Sequence, residues 1–243
     1  MTAFGDLHRK GDPVVLFNIW DAGSAQAVVK AGAQAVATGS ASVAMAHGEA
    51  DGERLALDLA LANAARVVAA VDMPVTVDFE GGYAEAPDEV AANVARLAAT
   101  GAAGLNFEDG RPGEGSIYPL EAQVERIAAA RGADAGLFLN ARTDLFLNAD
   151  AADHAGLVED ALARGAAYAE AGADGVFVPG LTAPDLIARI CDGCSLPVNV
   201  MWMPGITGRS ELAALGVARI SHGPFPYLAA MKALEAAAAK ALS

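Results

Sequence analysis

The chain has 243 residues, with 16 Lys and Arg against 30 Asp and Glu, and a formal net charge of −14. That balance excludes a polyanion-binding surface, so no nucleic-acid partner is expected. A hydrophobic fraction of 54% with 19% charged residues excludes a disordered chain, and the length suits one large core.

The amino terminus, Met1 to Pro13, carries Asp6, Arg9, Lys10 and Asp12 and lacks the apolar stretch of a secretory signal, so a cytoplasmic location is expected. Eight short runs rich in β-branched and apolar residues follow: Val14 to Ile19, Ala35 to Gly39, Pro74 to Phe79, Gly104 to Glu108, Leu137 to Arg142, Gly175 to Pro179, Pro197 to Met201 and Arg219 to Gly223. The uncharged run from Ala31 to Gly48 is broken by Gln34, Thr38, Ser40, Ser42, His47 and glycines, and predicts no membrane helix. Between the strands, helix-period stretches rich in Ala are predicted at Glu53 to Val71, Asp88 to Thr100, Leu120 to Arg131, Ala152 to Ala171 and Pro184 to Ile190. Turn signals precede the strands: Ala-Gly-Ala before the second and sixth, Thr-Gly-Ala before the fourth, and Arg-Gly-Ala-Asp before the fifth, where Gly supplies the left-handed residue that ends a helix. Cys191 and Cys194 form one C-x-x-C without a second ligand pair for zinc. They are expected as reduced thiols in a turn. An Ala-rich helix from Tyr227 to Leu242 closes the chain and is expected to cover the barrel.

Eight βα units in this length predict an α/β fold, a (β/α)8 TIM barrel occupying 1–243 as a single domain. A doubly wound open sheet is the alternative, but the turn after the first strand, Asn18 to Ser24, has one Gly where a dinucleotide fingerprint has three. The barrel places every strand's carboxyl end at one rim. There the third, fourth and fifth strands end in Asp78-Phe79-Glu80, Asn106-Phe107-Glu108-Asp109 and Asn140-Ala141-Arg142-Thr143-Asp144. Asp78 and Glu80 are two apart and share a side of an extended chain, with Glu108 on the next strand. Carboxylates so crowded repel unless a cation lies between them, and hard oxygen donors favour Mg2+ or Mn2+ over zinc. Arg142 offers a planar fork to an anionic substrate group. The competing reading is that these carboxylates cap the helices that follow and that one of them pairs with Arg142. The hydroxyls and amides at Thr38, Gly39 and Ser40 suit a carboxylate or phosphate, Trp20 follows the first strand, and Asn199 closes the seventh.

Asn18-Ile19-Trp20-Asp21-Ala22, Val77-Asp78-x-Glu80-Gly81-Gly82-Tyr83, Asn106-Phe107-Glu108-Asp109 and Asn140-Ala141-Arg142-Thr143-Asp144, in this order and on consecutive strands, resemble the isocitrate lyase and phosphoenolpyruvate mutase superfamily. The resemblance implies a barrel enzyme that uses Mg2+ to bind a 2-oxo or 2-hydroxy acid and stabilise an enolate-like intermediate. It implies Asp78 as direct metal ligand, Glu80 and Glu108 as holders of metal-bound water, and Arg142 as partner of the substrate carboxylate and oxyanion. It also implies Thr38, Gly39 and Ser40 as the substrate-gripping loop and Asp51 as the acidic residue after it. The lyases carry a Lys-Arg-Cys-Gly-His loop after the fourth strand. Here Asp109 to Ser116 has neither Cys nor His, so true isocitrate cleavage is not expected, and Glu114 is the loop's candidate acid or base. The lyases' carboxylate after the sixth strand is also missing from Val178-Pro179-Gly180-Leu181.

The expected activity is therefore a Mg2+-dependent lyase or decarboxylase acting on a small 2-oxo or 2-hydroxy mono- or dicarboxylate. Phosphonopyruvate-type P–C chemistry and a catalytically reduced 2-oxo acid binding protein are the alternatives. The resemblance further implies a homo-oligomer: such proteins are usually dimers of dimers that exchange a carboxy-terminal helix, and with a single closing helix and no second one to exchange, a dimer or an unswapped tetramer is the expectation here.

Overall fold

The computed structural model describes residues 4–243, and residues 1–3 of the expected domain lie outside the described residues. After β1 (Val14–Leu16) come α1 (Ala22–Lys30), β2 (Val36–Ala37), α2 (Ser40–Ala46), α3 (Leu57–Ala70), β3 (Val75–Asp78) and α4 (Pro87–Ala98). The middle of the chain gives β4 (Gly104–Glu108), a hairpin of β5 (Gly110–Arg111) and β6 (Ser116–Ile117), α5 (Leu120–Ala133), β7 (Phe138–Arg142) and α6 (His154–Glu170). The last part gives β8 (Gly175–Phe177), α7 (Pro184–Gly193), β9 (Val198–Met201), α8 (Arg209–Ala214), β10 (Arg219–Ser221) and α9 (Phe225–Leu242).

Hydrogen bonding orders the parallel strands β1-β10-β9-β8-β7-β4-β3-β2. A bridge between Ile19 and Thr38, with the Ile19 amide donating to the Ala37 carbonyl at 2.8 Å, joins the two ends of that order. The chain is a (β/α)8 barrel. An open doubly wound sheet would leave the terminal strands apart.

Local chemistry explains most element ends. Asp21 caps α1 by accepting the Ser24 amide at 2.7 Å, and Pro87 and Pro184 occupy first-turn positions that need no N–H donor. The glycines at 32, 101 and 172 have positive φ and stop their helices as their turn signals predict. Gly132 does not: α5 runs through it to Ala133, and Asp134 makes the turn instead by accepting the Gly136 amide at 2.6 Å. The helix before the seventh strand likewise extends past Ile190. Cys191 therefore lies buried in its last turn rather than in a loop, and both thiols are free. The nine-residue α1 was not among the predicted helices, and the seven-residue α2, the six-residue α8 and the β5–β6 hairpin, also unpredicted, are each too short for periodicity to show.

Leu105, Phe107, Leu139 and Ala141 face outward and pack with Val90, Val94, Leu97 and Ile127 of α4 and α5. On the other side Val176, Val198, Val200 and Ile220 pack against Ile187, Ile190 and Leu212. Inside the ring, Phe4, Val14, Leu16, Ala37 and Phe138 fill the lower end, where His8 stacks on Phe138 at 4.1 Å. Above them the filling becomes polar. Strand alternation makes this unavoidable: with Leu105 and Phe107 outside, Asn106 and Glu108 must point in.

The expectation that the last helix covers its own barrel does not hold. Only Pro226 of α9 is buried, and Leu228, Leu234 and Leu242 are 47%, 61% and 88% exposed. A groove of about 820 Å3, lined by Val15, Phe17, Ala27, Val28, Ala31 and Arg209, stays open beside β1. Among the described residues, no helix is long and apolar enough to cross a membrane.

Candidate active site

The rim holds a cavity of about 140 Å3, lined on one side by Ser40, Asp51, Asp78, Asn106 and Arg142 and on the other by Leu147, Phe177, Pro179, Met201 and Pro224.

Asp78 ends β3 and is held from three sides. Its Oδ2 accepts the Ser40 amide at 3.1 Å and the Ser40 hydroxyl at 3.0 Å, its Oδ1 accepts Asn106 Nδ2 at 3.3 Å, and its own amide donates to Thr38 Oγ1 at 2.9 Å. Arg142, level with Glu108 across the β4–β7 pair, meets Glu108 Oε2 at 2.7 Å. Its Nε and Nη2 donate to the two oxygens of Asp144 at 2.6 and 3.0 Å. Burial opposes the Arg142 charge, but Glu108, Asp144 and Asp78 outweigh it and hold the guanidinium firmly protonated. Burial pushes the Glu108 carboxyl upward, against the pull of Arg142.

Behind this clamp lies a second buried layer. Asp109, fully buried, accepts the Asp144 amide at 2.9 Å, the Tyr168 hydroxyl at 2.8 Å and Arg164 Nη1 at 3.1 Å. It fixes Asp144, which fixes Arg142. A side chain at Gly110 would lie 2.7 Å from Asp144 Oδ2, so only glycine leaves that carboxylate its place.

Beside Asp78, Glu80, Glu53 and Tyr83 are the non-glycine residues with positive φ among those described, at 50°, 59° and 57°. They bind one another: Glu80 accepts the Glu53 amide at 2.6 Å and the Tyr83 hydroxyl at 3.1 Å, and Glu53 accepts the Tyr83 amide at 2.8 Å. Left-handed backbone at three such residues is unfavourable and persists where surrounding contacts enforce it, a pattern typical of functional sites. Burial pushes the Glu80 carboxyl up to about 7, with the charges of Asp51 and Asp78 adding to the effect. Partial burial and then Asp78 also raise Asp51 at the solvent rim.

A family model described as phosphoenolpyruvate phosphomutase matches residues 4–242. The chain belongs to that family. Its residues therefore place it in the isocitrate lyase and phosphoenolpyruvate mutase superfamily of lyases and mutases. A Mycobacterium tuberculosis H37Rv protein of unassigned function is 39% identical over 241 residues, covering 99% of this chain and 89% of the relative. A crystal structure from Burkholderia cenocepacia J2315, named provisionally as a phosphonomutase, superposes with a TM-score of 0.94 at 50% identity, covering 97% of both chains. Oxaloacetate decarboxylase of Pseudomonas entomophila L48 is 32% identical over 181 residues, 70% of this chain and 59% of the relative.

In this phosphomutase-family barrel, Asp78, Gly39, Ser40, Asp51 and Arg142 line one cavity. Thr38 lies one step back, holding the Asp78 amide. Glu80 and Glu108 stand either side of Asp78, bonded to the Glu53–Tyr83 patch and to Arg142. Besides Thr38, Glu80 and Glu108, three further expected residues do not line the cavity. Trp20 packs edge-on against Tyr227 at 5.2 Å, Asn199 is buried in the ring against Ser221, and Glu114 sits in the hairpin loop paired with Arg111 at 3.0 Å. Asp144, Asp109, Arg164 and Tyr168 carry no predicted role, although Arg164 and Tyr168 stand four apart on one face of α6. The apolar wall has no sequence signal that separates it from ordinary core.

The donor set fits a hard cation. It is all oxygen, and burial and mutual repulsion raise Glu80, Asp51 and Glu108, a strain that a divalent ion would relieve. Among the described residues no three His, Cys, Asp or Glu side chains converge closely enough to hold an ion together. Asp78, Glu80 and Glu108 are the carboxylates at the rim that could hold such an ion, with water completing the shell as Mg2+ favours.

Proposed function

We propose that the protein is a Mg2+- or Mn2+-dependent lyase or decarboxylase that breaks a carbon–carbon bond beside the 2-oxygen of a small 2-oxo or 2-hydroxy acid. One observation carries the reading: Asp78 and Arg142 face the same cavity of about 140 Å3, whose opposite wall is apolar. A divalent cation held at Asp78 would supply an electron sink for the bond that breaks. Of the five N–H donors in a guanidinium, Arg142 commits three to Glu108 and Asp144, leaving one on each terminal nitrogen for a substrate carboxylate. Ser40 and Asn106 hold the Asp78 rotamer before substrate arrives, so little reorganisation accompanies binding. Leu147, Phe177, Pro179, Met201 and Pro224 exclude water from the far side and supply no second cation there. The distal end of the substrate accordingly meets a small apolar wall, which suits a carboxylate lost as CO2 or an alkyl-substituted end.

P–C bond chemistry has the phosphonomutase-named relative in its favour. A phosphonate carries more charge than the free donors of Arg142 satisfy, and Arg111 is turned toward Glu85 and Glu114. Oxaloacetate, alkyl-substituted malates and phosphonopyruvate, each with Mg2+ or EDTA, decide the matter. Metal-dependent pyruvate or CO2 release supports the proposal, phosphate release selects P–C chemistry, and saturable thermal stabilisation without product leaves a binding protein.

Assembly as a homo-oligomer belongs to the same proposal. The exposed leucines of α9 and the open apolar groove beside β1 are complementary in kind, and a helix from a second copy would cover both. Light scattering coupled to size exclusion should show a dimer or tetramer, and a monomer at micromolar concentration refutes it.

A further inference from the structure

Arg219 lies on β10 inside the ring, fully buried, one layer beneath the cavity. Its Nη2 donates to Asn106 Oδ1 at 3.0 Å and its Nε to Ser221 Oγ at 3.2 Å, and both partners belong to the cavity wall. Its Nη1 has no partner. Asn106 Oδ1 also receives Asn140 Nδ2 at 2.9 Å, so two donors fix the amide orientation and Asn106 Nδ2 must point toward Asp78.

Arg142 and the buried Arg164 each meet a carboxylate directly, and the buried Arg126 donates from both terminal nitrogens to Gln123 and the Gly81 and Ala84 carbonyls, whereas Arg219 meets no carboxylate and has one terminal nitrogen without a partner. A buried charge without an adjacent counterion is costly, and barrel interiors are usually filled by Val, Ile and Leu, so packing gives no reason for an arginine here. Burial lowers Arg219 to about 9, still cationic at neutral pH, and Asp78 is the carboxylate whose field opposes that fall.

We propose that Arg219 is a positioning residue that serves as the second cation of the site, supporting from below, through Asn106 and Ser221, the negative charge of a bound 2-oxo acid. The inference rests on the metal and 2-oxo acid reading above, and explains how a cavity lined by one guanidinium retains an anion among Asp51, Asp78 and Glu108.

The test uses the full chain, with Mn2+ and then oxalate, a planar dianion small enough for the cavity, as calorimetric probes. Arg219→Gln removes the charge. It should weaken oxalate binding to the Mn2+-loaded protein by about 10-fold while leaving Mn2+ binding unchanged or up to about 5-fold tighter, because the lost charge attracted one ligand and repelled the other. Arg219→Lys keeps the charge and should stay within about 3-fold of the parent for both. If Arg219→Gln does not fold, as judged by thermal unfolding, Arg219→Met fills the same volume without a polar end and gives the same reading. Weaker oxalate binding with Mn2+ affinity unchanged or raised supports the proposal. Parallel weakening of both ligands, or equal losses in the Lys and neutral variants, marks a merely structural role and overturns it. A parent protein that binds neither Mn2+ nor oxalate overturns the metal reading as well.

Discussion

The two halves of the rim are built on opposite principles. From β2 to β7 it is polar, with Ser40, Asp78, Glu80, Glu108 and Arg142 each fixed by named hydrogen bonds or ion pairs. From β8 to β10 it is uncharged and, apart from Ser221, largely apolar, with Phe177, Pro179 and Met201 offering shape without charge. The first half can hold a cation and a carboxylate in set positions, and the second can limit only size and polarity. Chemistry and specificity are thus assigned to different arcs of one ring, and perturbations of the two arcs should differ in kind.

The sharpest break is Asp78→Ala. It should abolish Mn2+ binding and lower any metal-dependent turnover by about 1,000-fold or more, and calorimetry with a product assay checks both. Arg142→Met comes next. Turnover should fall about 100-fold, and stability by about 3 kcal/mol, because Glu108 and Asp144 are left buried without their counterion; urea unfolding reads the second effect. In the apolar arc, Met201→Ala should leave Mn2+ affinity unchanged and shift kcat/KM about 10-fold in favour of substrates with a larger 2- or 3-substituent, measured across a homologous series.

A smaller effect concerns pH without metal. Glu80 is held at about 7 in the fold against an ordinary value near 4.5. The unfolded chain therefore releases this proton first, and the metal-free fold should lose up to about 3 kcal/mol of stability between pH 4.5 and 7. Adding Mg2+ should restore stability at pH 7.5 more than at pH 5, as thermal unfolding will show. Smallest of all, Glu114→Gln should change turnover by less than about 2-fold, since that carboxylate is bonded to Arg111 outside the cavity. A loss above 10-fold would show that the hairpin loop closes over the substrate.

Much of the barrel was legible because alternating β and α patterns and Gly-terminated helices are local features. The eight predicted strands begin within one residue of the observed ones, and acidic strand ends could be mapped to one rim from chain order alone. Short elements were not legible: α2 and α8 span two turns or fewer, and packing holds them in place more than periodicity does. Asn199 and Trp20 show the limit at the site. Both stand at the right end of a strand, yet the inward lean of one and the packing of the other against Tyr227 and Leu55 remove them from the cavity.

The sequence by itself determined the eightfold repeat, the family, and the residue types at the carboxyl rim, because each is written in spacing and side-chain chemistry. Only the tertiary structure decided that Asp109, Arg164 and Tyr168 brace Asp144, that Arg219 lies beneath Asn106, and that α9 leaves its own barrel uncovered. These are contacts between residues 35 to 113 positions apart, set by how strands align around a closed ring. No local pattern encodes them.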